Sequence, residues 1–127
     1  MKTELDIVDY QSWHLENLQY QSGLLTLTLG MSANKSGQNI PKRFLVVFTD
    51  TLFFETYDEV EHLKNHHENR DEGIIGLYSE SLLLKYIDES TLVTSINLGE
   101  FSHYSVMTSN EFVHVITREM PKIYKAF

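Results

Sequence analysis

The pattern of apolar and polar residues is clearest in residues 103–119, where two runs rich in β-branched and aromatic residues flank Thr108-Ser109-Asn110. Such a pattern predicts an antiparallel hairpin, with Asn110 at a turn position that requires a positive φ. In the second run, residues 111–117, apolar side chains occupy both alternating sets of positions, so neither face is cleanly polar. A strand of this kind is covered on both faces and lies in the middle of a sheet.

A second hairpin is predicted near the N-terminus, where residues 12–20 and 24–31 flank Gln21-Ser22-Gly23. Leucine and threonine alternate in residues 24–31, which is typical of a strand with one face in the core and the other toward solvent. The apolar run at residues 43–49 predicts a central strand, and residues 52–57 predict its partner.

Helical patterns are confined to the middle of the chain. Residues 59–69 lack glycine and proline and predict a short exposed helix or a helical turn. Residues 74–78 predict a further strand, and residues 79–90 predict an amphipathic helix capped by Ser79 or Ser81. The predicted core face of that helix consists of Leu83, Tyr86 and Ile87.

These elements predict an α+β, mostly β fold, with a curved antiparallel sheet or sandwich-like core of six to eight strands and one or two short helices. Residues 89–100 fit either a loop or an irregular edge strand, and residues 120–127 predict a short appendage. We expect residues 1–127 to form a single domain, since this length buries an ordinary core without disulfides or metals.

The composition indicates the cellular compartment and excludes some kinds of chemistry. The chain contains no cysteine, which excludes disulfides, a cysteine nucleophile and thiolate metal sites, and fits a reducing compartment. Its first ten residues lack the apolar stretch of a signal peptide, and no apolar run approaches the roughly 20 residues that a bilayer span requires. We therefore expect a cytoplasmic protein without membrane contact.

The formal net charge of −8 lies mostly in the middle of the chain. Residues 55–72 hold seven acidic residues against two basic ones, and residues 73–100 add four acidic residues against Lys85. Such a field repels nucleic acid and attracts cationic proteins. The alternative is that the acidic surface serves solubility alone.

Candidate catalytic chemistry rests on histidines. Glu59, His62 and His66 have a spacing that would place them on one helical face as a 2-His-1-carboxylate metal site. The pattern lacks the glutamate that follows the first histidine in zincins, so a solvated helix face is favoured and neither a metal nor a cofactor is expected. His103 and His114 lie on the two strands of the 103–119 hairpin. They fit either acid–base groups paired with Ser102 or a nearby carboxylate, or buried structural histidines. Nucleophile-elbow, P-loop and dinucleotide-binding motifs are absent, so an enzyme is not expected.

Residues 103–117 resemble the ending of a group of small bacterial proteins with the pattern HY-x-I-x-T-x-N-x-x-I-x-V-I. In those proteins it follows a helix start of the form LY-x-x-x-S-x-x-L, here Leu77-Tyr78 with Ser81 and Leu84. His114 departs from the pattern, because a small acid is common at its position. The proteins with this pattern resemble immunity proteins encoded beside secreted or contact-dependent growth-inhibition toxins. The resemblance implies that the partner is the C-terminal domain of a cognate toxin.

Toxins of such systems are often nucleases, whose clefts must be basic to hold phosphates. Under this hypothesis an acidic surface occludes the cleft, and exposed aromatic residues serve as desolvated anchors. The predicted contact residues are Asp58, Glu59, Glu61, Asp71, Glu72 and Trp13. Strand addition at residues 24–31 is a second binding mode. A homo-oligomeric structural domain and a metal-dependent enzyme are the alternative functions, and the pattern does not decide the oligomeric state.

Overall fold

The fold is seen in a computed structural model, which describes residues 10–31, 42–58, 69–90 and 100–126. Its elements are a 3-10 turn (Tyr10–Ser12), β1 (His14–Gln21), β2 (Leu24–Met31), β3 (Lys42–Phe48), β4 (Thr51–Asp58), β5 (Ile75–Leu77), α1 (Leu82–Ser90), β6 (Ser102–Met107), β7 (Glu111–Thr117) and β8 (Lys122–Ala126). The helix predicted at residues 59–69 lies outside these ranges except for Asn69, as does most of the segment 89–100. Within the described ranges, the eight strands form two antiparallel sheets, which confirms the predicted mostly β fold.

The first sheet has the strand order β1-β2-β3-β8. Its N-terminal hairpin turns at Ser22 and Gly23, with φ values of 51° and 86°. Two consecutive positive φ values suit the twist of a two-residue hairpin. Along β2 the leucines Leu25, Leu27 and Leu29 are 0% exposed, whereas the alternating threonines are half-buried. The predicted one-sided strand is therefore confirmed.

The C-terminal segment corrects one prediction, because it is part of this sheet and not an appendage. β8 pairs antiparallel with β3, and Ile123 lies opposite Val46. Pro121 lies just before the strand, where its missing N–H removes no ladder bond. The apolar alternation of a five-residue strand is too short to be recognised from the sequence.

The second sheet has the order β4-β7-β6-β5. The strand predicted at residues 52–57 exists as β4, but the prediction that it pairs with β3 is wrong, since it pairs with β7. Thr49 and Asp50 carry the chain from one sheet to the other, where the Asp50 carbonyl accepts a bond from the backbone N of Arg118 at 3.3 Å. The β6–β7 hairpin is confirmed, and β7 is buried from Phe112 to Thr117.

Asn110 has a different role from the one predicted. Its φ is not positive, since Ser22 and Asn69 are the non-glycine residues with positive φ in the described ranges. The Asn110 Oδ1 accepts a bond from the backbone N of Leu15 at 2.8 Å, and its Nδ2 donates to the Leu15 carbonyl at 3.1 Å. An amide side chain can imitate a strand backbone in this way, so Asn110 joins the second sheet to the edge of the first.

The hydrophobic core lies between the two sheets. It contains residues of both sheets and of the segments beside them: Trp13, Leu25, Leu27, Leu29, Phe44, Val46, Phe48, Ile74, Tyr104, Val106, Val113 and Val115. On β6 and β7, the core residues alternate with a second buried set that faces away from the first sheet.

Helix α1 covers part of that outward face and packs on β6. Ser81 is its N-cap, as predicted, because the backbone N of Leu84 donates to the Ser81 Oγ at 2.8 Å. Ile87 is 0% exposed, but the prediction that Tyr86 shares the core face is wrong, since Tyr86 is 59% exposed. The inward face is formed by Ile87 with the half-buried Leu83 and Leu84, and Tyr86 lies to one side of it.

Candidate functional site

A row of polar residues crosses the outward face of the second sheet. Glu55 on β4 lies opposite His114 on β7, His114 lies opposite Ser105 on β6, and Ser105 lies opposite Gly76 on β5. Directly opposite residues of neighbouring strands share a face, so these four positions form one line across the sheet. We call these four positions the polar row.

Arg70 closes one end of this row above Gly76. A methyl group at Gly76 would lie 2.5 Å from the guanidinium carbon, so only glycine leaves room for the arginine. The guanidinium donates five hydrogen bonds: to Ser105 Oγ (2.5 Å) and to the carbonyls of Asp71 (2.9 Å), Gly73 (2.8 Å), Ile74 (2.9 Å) and Ser105 (3.1 Å). Five acceptors use all five donors of the side chain, so Arg70 is a structural residue that folds the loop before β5. Burial lowers its pKa, and the neighbouring Tyr78 and Asp71 oppose that shift.

A hydrogen-bonded chain of three side chains lies beside the row. The Ser81 Oγ is 2.6 Å from the His103 Nδ1, and the His103 Nε2 is 2.8 Å from the His114 Nδ1. Both imidazoles are buried, at 3% and 1% exposed, and the Tyr78 ring stacks on His103 at 4.0 Å between centroids. The sequence suggested Ser102 or a nearby carboxylate as the partner of the histidines, whereas in the structure His103 bonds the Ser81 Oγ.

The geometry of this chain matches that of a nucleophile, a base and an orienting group. It would pass a proton between Ser81 and His114, since each imidazole can donate through one nitrogen and accept through the other. In this structure the Ser81 Oγ also caps α1, so the chain ties the start of the helix to the centre of the sheet. The sequence predicted the N-cap role of Ser81 but gave no signal for its bond to His103, 22 residues away.

The opposite end of the row carries a carboxylate. The Tyr57 hydroxyl donates to the Glu55 Oε1 at 2.7 Å, and the Tyr57 ring meets the His114 ring edge-on at 5.7 Å. The hydrogen bond to Glu55 is the main reason that the pKa of Tyr57 rises from 10.0 to about 12. Burial likewise raises the pKa of Tyr78 at the other end.

The predicted contact residues fall into two groups. Asp71 and Glu72 are exposed in the loop before β5, where the backbone N of Asp71 donates to the Leu77 carbonyl at 3.0 Å. Asp58 ends β4 opposite Glu111, and its side chain is outside the described part. Glu59 and Glu61 lie outside the described residues, as do His62 and His66 of the candidate metal site. Among the residues that are described, no group of three histidines and carboxylates is arranged to hold a metal ion.

The prediction that Trp13 is an exposed anchor is wrong. Its side chain is 1% exposed and meets the Phe44 ring at 5.5 Å between centroids, inside the core. The Trp13 carbonyl also accepts a bond from the backbone N of Ser109 at 2.8 Å. The residues around Trp13 in the sequence are polar and gave no sign of this burial. The indole is buried where the chain passes from the 3-10 turn into β1.

The prediction that residues 24–31 offer a free sheet edge is also wrong, because β2 lies between β1 and β3. The edge strands are β1 and β8 in the first sheet and β4 and β5 in the second. A groove of about 430 Å³ separates β1 from β4, and Asn110 lines it. Because Asn110 binds both backbone groups of Leu15, that part of the β1 edge is already paired.

The outward side of α1 is a surface that sequence reasoning missed. Leu82 and Tyr86, one helical turn apart, are 68% and 59% exposed. Glu80, just before the helix, and Glu89, in its last turn, are exposed beside them. We call these two apolar and two acidic residues the α1 surface.

Charge is divided unequally between the two halves of the molecule. The half formed by the first sheet and its adjoining turns (residues 10–31, 42–50 and 118–126) has three acidic and five basic residues. The described residues of the other half (51–58, 69–90 and 100–117) have nine acidic and two basic residues. One of those two basic residues is Arg70, whose donors are all used internally. The second half is therefore strongly negative.

Comparison of the chain with protein-family models, curated proteins and solved structures finds no match. Within the described ranges, no helix combines the length and the hydropathy that crossing a bilayer requires.

Proposed function

We propose that this protein is an immunity-type inhibitor that binds the C-terminal domain of a cognate bacterial toxin and occludes its basic cleft. The observation that carries the proposal is the division of charge, with nine acidic residues against two basic ones in the described part of the second half. The resemblance of residues 77–84 and 103–117 to small immunity proteins points to the same role. No catalytic step by this chain is needed for such inhibition.

A carboxylate-rich surface suits a cleft that evolved to bind phosphates, because it presents the same sign of charge as the substrate. Complementary potentials also raise the association rate, which favours capture of the toxin before it acts. Single exposed ion pairs contribute only about 0–1 kcal/mol each. Tight inhibition therefore requires several such pairs together with at least one apolar anchor.

The test is coexpression with the C-terminal domain of any large secreted protein that is encoded directly upstream of this chain. We expect rescue of growth and a stable 1:1 complex. The variant Asp71→Lys with Glu72→Lys is expected to weaken both, because both side chains are exposed on the negative half. The matched control is Glu119→Lys, which reverses an exposed carboxylate on the opposite half and should leave rescue intact.

Two results would count against the proposal in different ways. Rescue that survives reversal of Asp71 and Glu72 would retain the immunity role and move the contact elsewhere. The absence of both rescue and complex would favour the alternative of a structural or interaction domain whose acidic surface serves solubility.

A further inference from the structure

We infer that the α1 surface is the docking site for a basic protein partner, with Tyr86 and Leu82 entering an apolar pocket and Glu80 and Glu89 pairing with lysine or arginine around it. This inference rests on the proposed function and names the surface that performs it. It replaces Trp13 of the sequence-based prediction with Tyr86 and Leu82 as the apolar anchors, and Asp71 and Glu72 remain part of the surrounding negative charge.

Leu82 and Tyr86 of the α1 surface remain exposed although the helix also has an apolar inward face. Leu82 and Tyr86 are spaced four residues apart, so their side chains lie next to each other on one face. The opposite side is fixed to the sheet by Ile87, which is 0% exposed. Tyrosine is among the residues that most often dominate binding energy at interfaces, and an exposed Tyr–Leu pair on a folded helix supplies such an anchor.

The helix is held in place before any partner arrives. Its N-terminus is capped by Ser81, and the Ser81 Oγ is joined through His103 to His114 in the centre of the second sheet. A surface that is rigid in the free protein loses little conformational entropy on binding. The buried polar chain thus has a second consequence, which is to present Leu82 and Tyr86 in one orientation.

The negative charge of this region indicates that its partner carries positive charge. Residues 69–90 contain five acidic residues, and Lys85 is the one basic residue there besides the internally bonded Arg70. The ion pairs found among the described residues use Glu16 and Asp50, and not Glu80 or Glu89. Two copies of this chain meeting through the same surface would bring like charges together, which is unfavourable. A basic protein is therefore the occupant that fits.

Another exposed aromatic residue provides a matched comparison. Tyr124 on β8 is 50% exposed, close to the value for Tyr86. The exposed Lys122 is two positions away on the same face of the strand, so the charge beside Tyr124 is positive. A basic partner would be repelled there, whereas the acidic residues beside Tyr86 would attract it.

The experiment measures binding of the purified upstream toxin domain by titration calorimetry to the wild type, Tyr86→Ala, Leu82→Ala and Tyr124→Ala. We expect Tyr86→Ala to raise the Kd by on the order of 30-fold, as truncation of an interface hot spot does. Leu82→Ala should raise it by roughly 5-fold or more, and Tyr124→Ala by less than about 3-fold. Circular dichroism of each variant verifies folding, which exposed positions should not disturb.

A second pair of measurements tests the charged part. Glu80→Lys combined with Glu89→Lys should slow association and reduce its dependence on salt, since exposed charges act mainly on the encounter rate. If the wild type binds the toxin domain and Tyr86→Ala binds equally well, the docking site is wrong while the proposed function stands. If the wild type does not bind, the proposed function itself fails. A wild-type dimer in light scattering that Tyr86→Ala dissociates would overturn the inference in favour of a second copy.

Discussion

The two sheets bury their strands in different ways. In the first sheet, β2 alternates between fully buried leucines and half-buried threonines, so one face packs in the core and the other meets solvent. In the second sheet, β7 is buried at every position from Phe112 to Thr117, and the outward face holds histidines, a serine and an arginine as well as apolar residues. One-sided burial leaves polar groups in water, whereas two-sided burial forces them to find partners inside the protein.

The buried polar row is unfavourable for desolvation, but its hydrogen bonds fix the positions of neighbouring segments. Buried polar groups are unfavourable unless hydrogen-bonded, and then they favour one arrangement over others. Arg70 satisfies four carbonyls and a hydroxyl, and the chain of Ser81, His103 and His114 joins α1 to the sheet. The second sheet therefore determines where the loop before β5 and the helix lie, which are the segments that carry the exposed acidic residues.

The largest effect should come from truncating neighbouring residues in the two sheets. In β7, both Phe112→Ala and Val113→Ala should destabilise the fold, by roughly 3–5 and at least about 1.5 kcal/mol, because each side chain is at most 2% exposed. In β2, Leu27→Ala should cost roughly 2–5 kcal/mol, whereas Thr28→Ala should cost less than about 1 kcal/mol. Urea unfolding measures all four, provided that the slope with denaturant stays constant.

If Phe112→Ala lowered the free energy of unfolding as little as Thr28→Ala, the two sheets would not differ in burial as described. That result would mean that the outward face of the second sheet is loosely covered and that the polar row is not truly buried. Equal losses at Leu27 and Thr28 would instead contradict one-sided burial in the first sheet.

The second prediction compares two arginines. Arg70→Met should destabilise by roughly 2–4 kcal/mol, since it removes five hydrogen bonds from a charged donor and leaves buried acceptors unpaired. Arg43→Met in the first sheet should cost about 0–1 kcal/mol, because the side chains of Arg43 and its ion-pair partner Glu16 are 36% and 24% exposed. Thermal and urea unfolding of both variants would measure the difference.

A supporting variant is Gly76→Ala, whose new methyl group would displace the Arg70 guanidinium and produce a loss similar to that of Arg70→Met. If Arg70→Met proved no more harmful than Arg43→Met, water would be replacing the arginine. The loop before β5 would then not depend on the polar row.

Much of the fold followed from the sequence because its signals are local. The two hairpins, the alternation in β2, the continuous burial in β7 and the Ser81 cap all arise from residues close in sequence. What failed depends on distant contacts: the pairing of β8 with β3, the pairing of β4 with β7, and the bond from Asn110 to Leu15, 95 residues away. No periodicity within a short segment carries that information.

The candidate site was predictable only in its charge. Asp71 and Glu72 are exposed, as an acidic contact surface requires, but Tyr86 was assigned to the core and Trp13 to the surface, and both assignments are reversed. Helical spacing places Tyr86 next to the apolar residues Leu83 and Ile87. Whether the sheet covers Tyr86 or Leu84 beside them depends on how the helix packs, which the sequence pattern does not give. Arg70 gave no signal, because its five acceptors are backbone carbonyls and a hydroxyl that the fold brings together.

The smallest expected effect is the pH dependence of stability. The first sheet should lose stability at acidic pH and the second sheet at alkaline pH. In the first sheet, the bond to Arg43 lowers the pKa of Glu16 below 4.5, so its contribution is present at neutral pH and is lost as the pH falls through the lowered value. In the second sheet, the bond to Glu55 raises the pKa of Tyr57 to about 12. That contribution is complete below about pH 10 and is lost as the pH rises from about 10 to 12, because the folded state keeps a proton that the unfolded state releases.

Ultraviolet titration of the tyrosines should therefore find one ionising near pH 12 that is absent in Tyr57→Phe. In Glu55→Ala the same group should titrate closer to 10.0, because the largest cause of its shift is removed and only the effect of burial remains. Arg43→Met is the control, since it should change the acid limb of the stability profile and leave the alkaline limb as it was. An unchanged Tyr57 titration in Glu55→Ala would show that burial alone raises this pKa. The carboxylate end of the polar row would then contribute nothing to the second sheet, and its polar interior would reduce to Arg70 and the histidine chain.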